Sequence, residues 1–146
     1  MKTILVTGSN KGIGLEFARQ YLNEGFKVIA TCRNLSKLDG LNGLVNSFPD
    51  KISIYQMELL DEKSIEDFSL EIKDTPIDIF INNAGVAGMN TTVSEYPLEE
   101  WNKVINLNLN AVFYCCKAVV PFMVKNDYGR IVNIASIPNI SFLITA

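Results

Sequence analysis

Apolar positions along this chain follow two alternating rhythms: short unbroken runs, and longer stretches in which they recur every three or four residues. The first run, Ile4-Leu5-Val6, reads as a strand buried on both faces. Residues 15–24 then carry Leu15, Ala18 and Leu22 on one helical face, with Gly25 placed as a C-terminal cap. A second strand is expected over 27–31. A weaker helix over 35–48 carries Leu38, Leu41 and Val45, although Gly40 and Gly43 each cost it about 1 kcal/mol against alanine. Strand three is expected over 52–57, and Asp61 is placed to cap a helix reaching residue 73 with Ile65, Phe68 and Ile72 inward. Pro76 precedes strand four, 77–81. Beyond a polar loop around 88–94, a long helix starts near Leu98 and carries Trp101, Val104, Ile105, Val112, Phe113, Cys116, Val119 and Val120. Pro121 is expected to kink or end that helix, and strand five follows over 130–134.

Strands that alternate with helices need crossover connections, which are right-handed and build a parallel sheet with helices on both faces. The pattern therefore predicts an α/β, Rossmann-type doubly wound sheet of five strands in the order 3-2-1-4-5. No internal repeat, low-complexity segment or linker divides the chain, so 1–146 reads as one domain.

Composition narrows the function classes. The 146 residues are 48% hydrophobic and 20% charged, ordinary for a globular domain. A formal net charge of −3 with scattered Lys and Arg forms no basic face, which argues against nucleic acid as a partner. No apolar run approaches the roughly 20 residues that span a bilayer, so neither a membrane nor a secretory route is expected, and the cytoplasm is. Cys32, Cys115 and Cys116 are odd in number and lack metal-ligand spacing, reading as reduced structural thiols. The chain has no histidine, which removes Ser-His-Asp and Cys-His schemes and histidine-based metal sites.

The chemistry begins at Thr7-Gly8-Ser9-Asn10-Lys11-Gly12-Ile13-Gly14, between the first strand and the first helix. In such a unit one glycine permits the tight turn and another lets the backbone approach a pyrophosphate. A third lets helix pack on strand, with the helix N-terminus facing the anion. The stretch reads as a dinucleotide site. Just past strand two, where an acidic residue would bond the ribose 2′-hydroxyl of NAD, stand Cys32 and then Arg33. A guanidinium suits a 2′-phosphate bidentately, and Lys11 adds a second cation, so the pattern favours NADP over NAD. The alternative is that both are solvated surface cations. Asn82-Asn83-Ala84-Gly85 falls at the carboxyl end of strand four, where open α/β sheets bind ligands; the alternative is an Asx-rich turn.

Taken together, the TGxxxGIG stretch, the NNAG stretch at 82–85, Asn108-Leu109 with Phe113, and the GRIVNIxS stretch at 129–136 resemble the classical short-chain dehydrogenases/reductases. The resemblance covers the whole chain in the family's order. Within that family, the segments 14–22 and 28–34 are most similar to sniffer-type carbonyl reductases and the C-factor group. The resemblance implies reduction of a small-molecule ketone or aldehyde by NADPH, or oxidation of a secondary alcohol. It implies that Ser136 hydrogen-bonds the substrate oxygen and that Asn108 interrupts the long helix and holds a relay water. A fixed donor at a developing oxyanion stabilises the transition state more than the ground state. The plain alternatives are a strand-end turn serine and a helix asparagine facing solvent. The cofactor set it implies comprises Gly8, Ser9, Asn10, Lys11, Gly12, Ile13, Gly14, Arg33, Glu58, Leu59, Asn83, Ala84 and Gly85. It also implies a homo-oligomer through the long helix, 98–125.

Two departures stand out. Glu58 and Leu59 replace the family's usual Asp and smaller valine at the adenine. The family's Tyr-x-x-x-Lys proton-donor pair should lie about a dozen residues past Ser136, and no tyrosine here has a lysine four positions on. Tyr21 precedes Gly25, Tyr55 Leu59, Tyr96 Glu100, Tyr114 Ala118 and Tyr128 Val132. The chain therefore reads as the N-terminal part of the family fold, truncated before its last strands. Three functions follow from the sequence: an NADP-dependent oxidoreductase seen in part, an inactive dinucleotide-binding fragment, and a signalling or interaction protein on this scaffold.

Overall fold

The computed structural model describes residues 1–83 and 85–134. Five parallel strands, β1 (Thr3–Val6), β2 (Lys27–Cys32), β3 (Ile52–Gln56), β4 (Ile79–Asn83) and β5 (Arg130–Ile134), form one sheet in the order β3-β2-β1-β4-β5, as the alternating pattern predicts. Between them run α1 (Gly12–Asn23), α2 (Leu41–Ser47), α3 (Glu62–Glu71), α4 (Leu98–Ile105) and α5 (Ala111–Lys125).

The strand residues alternate between two cores. Ile4, Val6, Val28, Ala30 and Ile81 meet Ala18 and Leu22 of α1 and Leu41 and Leu44 of α2. Leu5, Ile29 and Phe80 meet Ile65 and Phe68 of α3 and Cys115, Val119 and Met123 of α5 on the opposite face. Burial on both faces is why β1 and β4 carry the apolar runs Ile4-Leu5-Val6 and Ile79-Phe80-Ile81 rather than alternating patterns. Asp61 caps α3, its Oδ1 accepting from Lys63 N at 3.0 Å, and Gly25 ends α1 at φ +87°.

The structure redraws several of the expected elements, beginning with α1, which starts at Gly12 rather than at 15. Helix α2 begins at Leu41 rather than at 35, because Asn34 Oδ1 accepts from Ser36 N at 2.8 Å and Asp39 adopts φ +46°. These local bonds compete with a helical backbone. Helix α3 ends at Glu71 rather than 73. Strand β4 lies two residues later than expected, its ladder to β5 reaching Asn82↔Asn133 and Asn83↔Ile134. Pro121 does not end α5, which runs on to Lys125. Burial of Val119 and Met123 on either side of the proline outweighs the penalty of about 3 kcal/mol that proline carries in a helix interior.

The long helical run also sorts its apolar residues. Val104, Ala111, Cys115, Val119 and Met123 are buried, whereas Trp101, Phe113 and Val120 of the expected set are exposed. Leu98–Lys125 is long and apolar enough by length and composition to cross a membrane, which the run-length reading did not anticipate. Here its buried stripe packs on α3 and β4.

Candidate functional site

A cleft of about 680 Å³ opens at the carboxyl ends of β1, β2 and β4, beside the turn from β1 into α1. That volume suits a cofactor-sized ligand, and the edge of the sheet between β1 and β4 is where the strand order reverses.

The turn itself needs its glycines. Gly8 and Gly12 hold φ of +61° and +58°, in the left-handed region that side chains resist. A Cβ on Gly12 would meet nothing within 4 Å, and the residue lines the cleft, so a ligand there can approach its backbone. A Cβ on Gly14 would stand 2.7 Å from Asn83 Nδ2, and closer still to the Gly8 carbonyl. Glycine is required there for α1 to approach the strand ends. The first turn of α1 has no side-chain cap and no acidic residue to offset the positive end of its dipole, and Gly12, its first residue, lines the cleft. These features fit a pyrophosphate.

Polar stitches hold the turn to its neighbours. Asn83 N donates to Thr7 Oγ1 at 2.9 Å, and Asn83 Nδ2 reaches the carbonyls of Thr7 (3.3 Å) and Gly8 (3.4 Å). Asn82 is fully buried, with Thr7 Oγ1 donating to its Oδ1 at 3.4 Å and its Nδ2 donating to Asn133 Oδ1 at 3.1 Å. The two asparagines are thus the last residues of β4 and fasten three strands together, rather than forming a solvent-facing Asx turn.

Of the residues expected at the site, Gly8, Asn10, Lys11, Gly12, Arg33, Glu58, Leu59, Asn83 and Gly85 line the cleft. Ser9 does not. It is fully buried, its hydroxyl donating to the Val6 carbonyl at 2.6 Å and its N–H to Thr31 O at 2.9 Å. Gly14 lies behind the turn, and Ile13 projects into solvent from the start of α1. Asn108 stands apart from the wall, to which its neighbour Leu107 contributes. The long helix widens into a π-helical turn over Asn106–Asn110, and Asn108 brackets Val86 there rather than facing solvent. Its Nδ2 donates to Val86 O and its Oδ1 accepts from Val86 N, both at 3.0 Å. Ala84 and Ser136 lie outside the described residues.

Sequence reasoning missed Asn34, Lys37, Asp39, Met57 and Leu60, which also line the cleft, as does Val86 at the start of the loop that leaves β4. Lys37 had a legible signal as a second basic residue four positions after Arg33; Asp39 had none. Three cations, Lys11, Arg33 and Lys37, therefore face one cleft with the carboxylates of Asp39 and Glu58. The Glu58 carboxylate turns back to accept from Leu60 N at 3.3 Å. Where a carboxylate would repel a 2′-phosphate stands Cys32, and burial pushes its thiol pKa up, keeping it neutral. No tyrosine lines this cleft among the described residues.

Comparison with known proteins gives the same assignment. Residues 2–140 match the family model described as short chain dehydrogenase. A 3-oxoacyl-[acyl-carrier-protein] reductase, FabG, of Buchnera aphidicola is 40% identical over 139 residues, covering 93% of this chain and 55% of that protein. A 2-dehydro-3-deoxy-L-rhamnonate dehydrogenase (NAD(+)) of a Sphingomonas species is 33% identical over 138 residues, covering 91% of this chain and 53% of that one. The solved structure of ElxO with NADP bound is 33% identical and superposes with a TM-score of 0.84, covering 92% of this chain and 55% of that one. The chain thus spans about half the length of the curated relatives it matches. With a family model matched over residues 2–140 and a relative 40% identical across 93% of the chain's length, this chain belongs to the short-chain dehydrogenase family.

Proposed function

We propose that this chain is the dinucleotide-binding half of an NADP(H)-dependent oxidoreductase that interconverts a small carbonyl compound and its secondary alcohol. The observation that carries the reading is one cleft lined by the open backbone of Gly12 and by three cations, Lys11, Arg33 and Lys37, with no carboxylate at the Cys32 position. In this reading 1–146 forms one dinucleotide-binding domain. A bound nicotinamide dinucleotide supplies the hydride. The chain's residues bind and orient it: the first turn of α1 receives the pyrophosphate, Arg33 and Lys11 the 2′-phosphate, and Met57, Glu58 and Leu59 the adenine side.

Ser136 supplies a hydroxyl to the substrate oxygen, and Asn108 holds a relay water, both as the family resemblance implies. The two bonds between Asn108 and Val86 fix the loop that leaves β4 beside the cleft. The finer likeness to sniffer-type carbonyl reductases rests on the segments 14–22 and 28–34, while the relatives described above carry other substrate names. Leu109, Phe113, Val120 and Val124 form an exposed apolar stripe that supports a homo-oligomer through the long helix. Three free cysteines, two of them adjacent, suit the cytoplasm.

Calorimetric titration of the full-length protein with NADP+ and NAD+ tests the cofactor assignment. NADP+ is expected to bind more tightly, and Arg33→Ala to cut that preference by about tenfold, the worth of one charge-assisted pair at an exposed site. Equal affinities in the parent, or an unchanged ratio in the variant, would sink the assignment. The alternative is dinucleotide binding without turnover. Thermal stabilisation by NADPH with no oxidation of it by any carbonyl compound is the result that selects this reading.

A further inference from the structure

The wall formed by residues 33–40 is a built turn. Arg33 leaves β2 and Lys37 follows four positions later, both lining the cleft. Between them Asn34 Oδ1 accepts from Ser36 N at 2.8 Å, and the Asn34 carbonyl accepts from Lys37 N at 3.1 Å. The far end of this turn is fastened to the glycine turn at two points, both on Asn10. Asp39 Oδ2 accepts from Asn10 Nδ2 at 2.8 Å, and Gly40 N donates to the Asn10 carbonyl at 3.2 Å. Gly40 also rests on Leu15 so closely that a Cβ there would collide with the leucine side chain.

Asp39 is out of place on charge alone. A carboxylate beside a phosphate seat repels it, and Asp39 makes no ion pair with Lys11, Arg33 or Lys37 that would explain its presence. It also holds φ +46°, a strained conformation that Asp and Asn tolerate better than most residues. Among the described residues its side chain bonds Asn10, on the same turn that carries Lys11.

We infer that Asp39 is a positioning residue for cofactor specificity. Its clip to Asn10 holds the Arg33–Lys37 turn against the glycine turn, so that cations from two separate segments converge on one 2′-phosphate. This rests on the dinucleotide reading above and adds to it the device that sets discrimination. Holding the turn before binding spares the entropy of ordering two long side chains and their loop when the phosphate arrives. An unphosphorylated ribose calls on neither cation, so the clip matters for NADP and not for NAD.

Two substitutions separate position from charge. Asp39→Gly suits the left-handed backbone and removes the clip. Asp39→Asn keeps an oxygen acceptor for Asn10 Nδ2 and removes only the charge. The full-length protein and both variants are titrated with NADP+, NAD+ and adenosine 2′,5′-bisphosphate, and amide hydrogen exchange of residues 33–40 is followed without ligand. Asp39→Gly is expected to weaken NADP+ and the bisphosphate by about threefold to tenfold, the worth of one hydrogen bond. It should leave NAD+ within about twofold by the same reasoning and speed exchange over 33–40. Asp39→Asn is expected to bind NADP+ at least as tightly as the parent. The inference is overturned if Asp39→Gly binds NADP+ as tightly as the parent or more so, since Asp39 is then only a repulsive charge. It is equally overturned if NAD+ is weakened in the same proportion. A parent protein that binds neither dinucleotide overturns the cofactor reading and this inference with it, an outcome visible before any variant is compared.

Discussion

Replacing glycine by alanine at two helical positions of this chain should change stability in opposite directions. In isolation the substitution favours a helix by up to about 1 kcal/mol, because glycine loses more backbone freedom on folding. Gly43 lies exposed inside α2, and a Cβ there would meet nothing within 4 Å. Gly43→Ala should therefore stabilise by roughly 0.5–1 kcal/mol, raising Tm by about 1–4 °C. At Gly14 the new Cβ would stand 2.7 Å from Asn83 Nδ2 and press on the Gly8 carbonyl, so α1 must move away from the strand ends. Overpacking of that kind costs about 1–3 kcal/mol. Displacing the Asn83 amide from Thr7 and Gly8 costs about 1 kcal/mol more, and the helix gain returns about 1 kcal/mol. The net is a loss of about 2 kcal/mol, or about 4–8 °C in Tm. Thermal unfolding of parent and variants by circular dichroism, with urea midpoints alongside, reads both signs. A Gly14→Ala protein as stable as the parent would refute the claim that the close approach of α1 to β4 makes this glycine necessary.

Two further outcomes follow from local chemistry. Asp61→Ala, which removes the cap of α3, should cost about 1 kcal/mol and lower Tm by about 2–4 °C, while Asp61→Asn should cost little; equal melting of Asp61→Ala and parent counts against the cap. Burial pushes the Cys115 thiol from about 9 up to about 12. A pKa raised by folding means that the native state holds the proton longer. The stabilisation is complete below the unfolded value near 9 and drains away as pH climbs toward 12. Urea midpoints across that range should fall more steeply for the parent than for Cys115→Ala, and parallel slopes would contradict the burial argument.

Much of the fold was legible because its signals are local. The doubly wound sheet shows as apolar runs alternating with helical periods, and Asp61 and Gly25 mark helix ends by bonds and dihedrals confined to their own segments. The glycine turn shows for the same reason, since φ values of +61° and +58° are a demand on single residues. What lies opposite those residues is not written in their neighbourhood. Ser9 sits among cleft residues in sequence, yet its hydroxyl turns inward to Val6. Asp39 enters the cleft through a partner 29 positions away, and Asn108 finds Val86 across 22. Pro121 remains helical because the core on either side of it holds the helix together. The sequence by itself determined the order of strands and helices and the turn where an anion fits, because backbone preference and periodicity act over a few residues. Only the tertiary structure decided which side chains meet in the cleft and how long each element runs, because those depend on contacts that exist only once distant segments have packed.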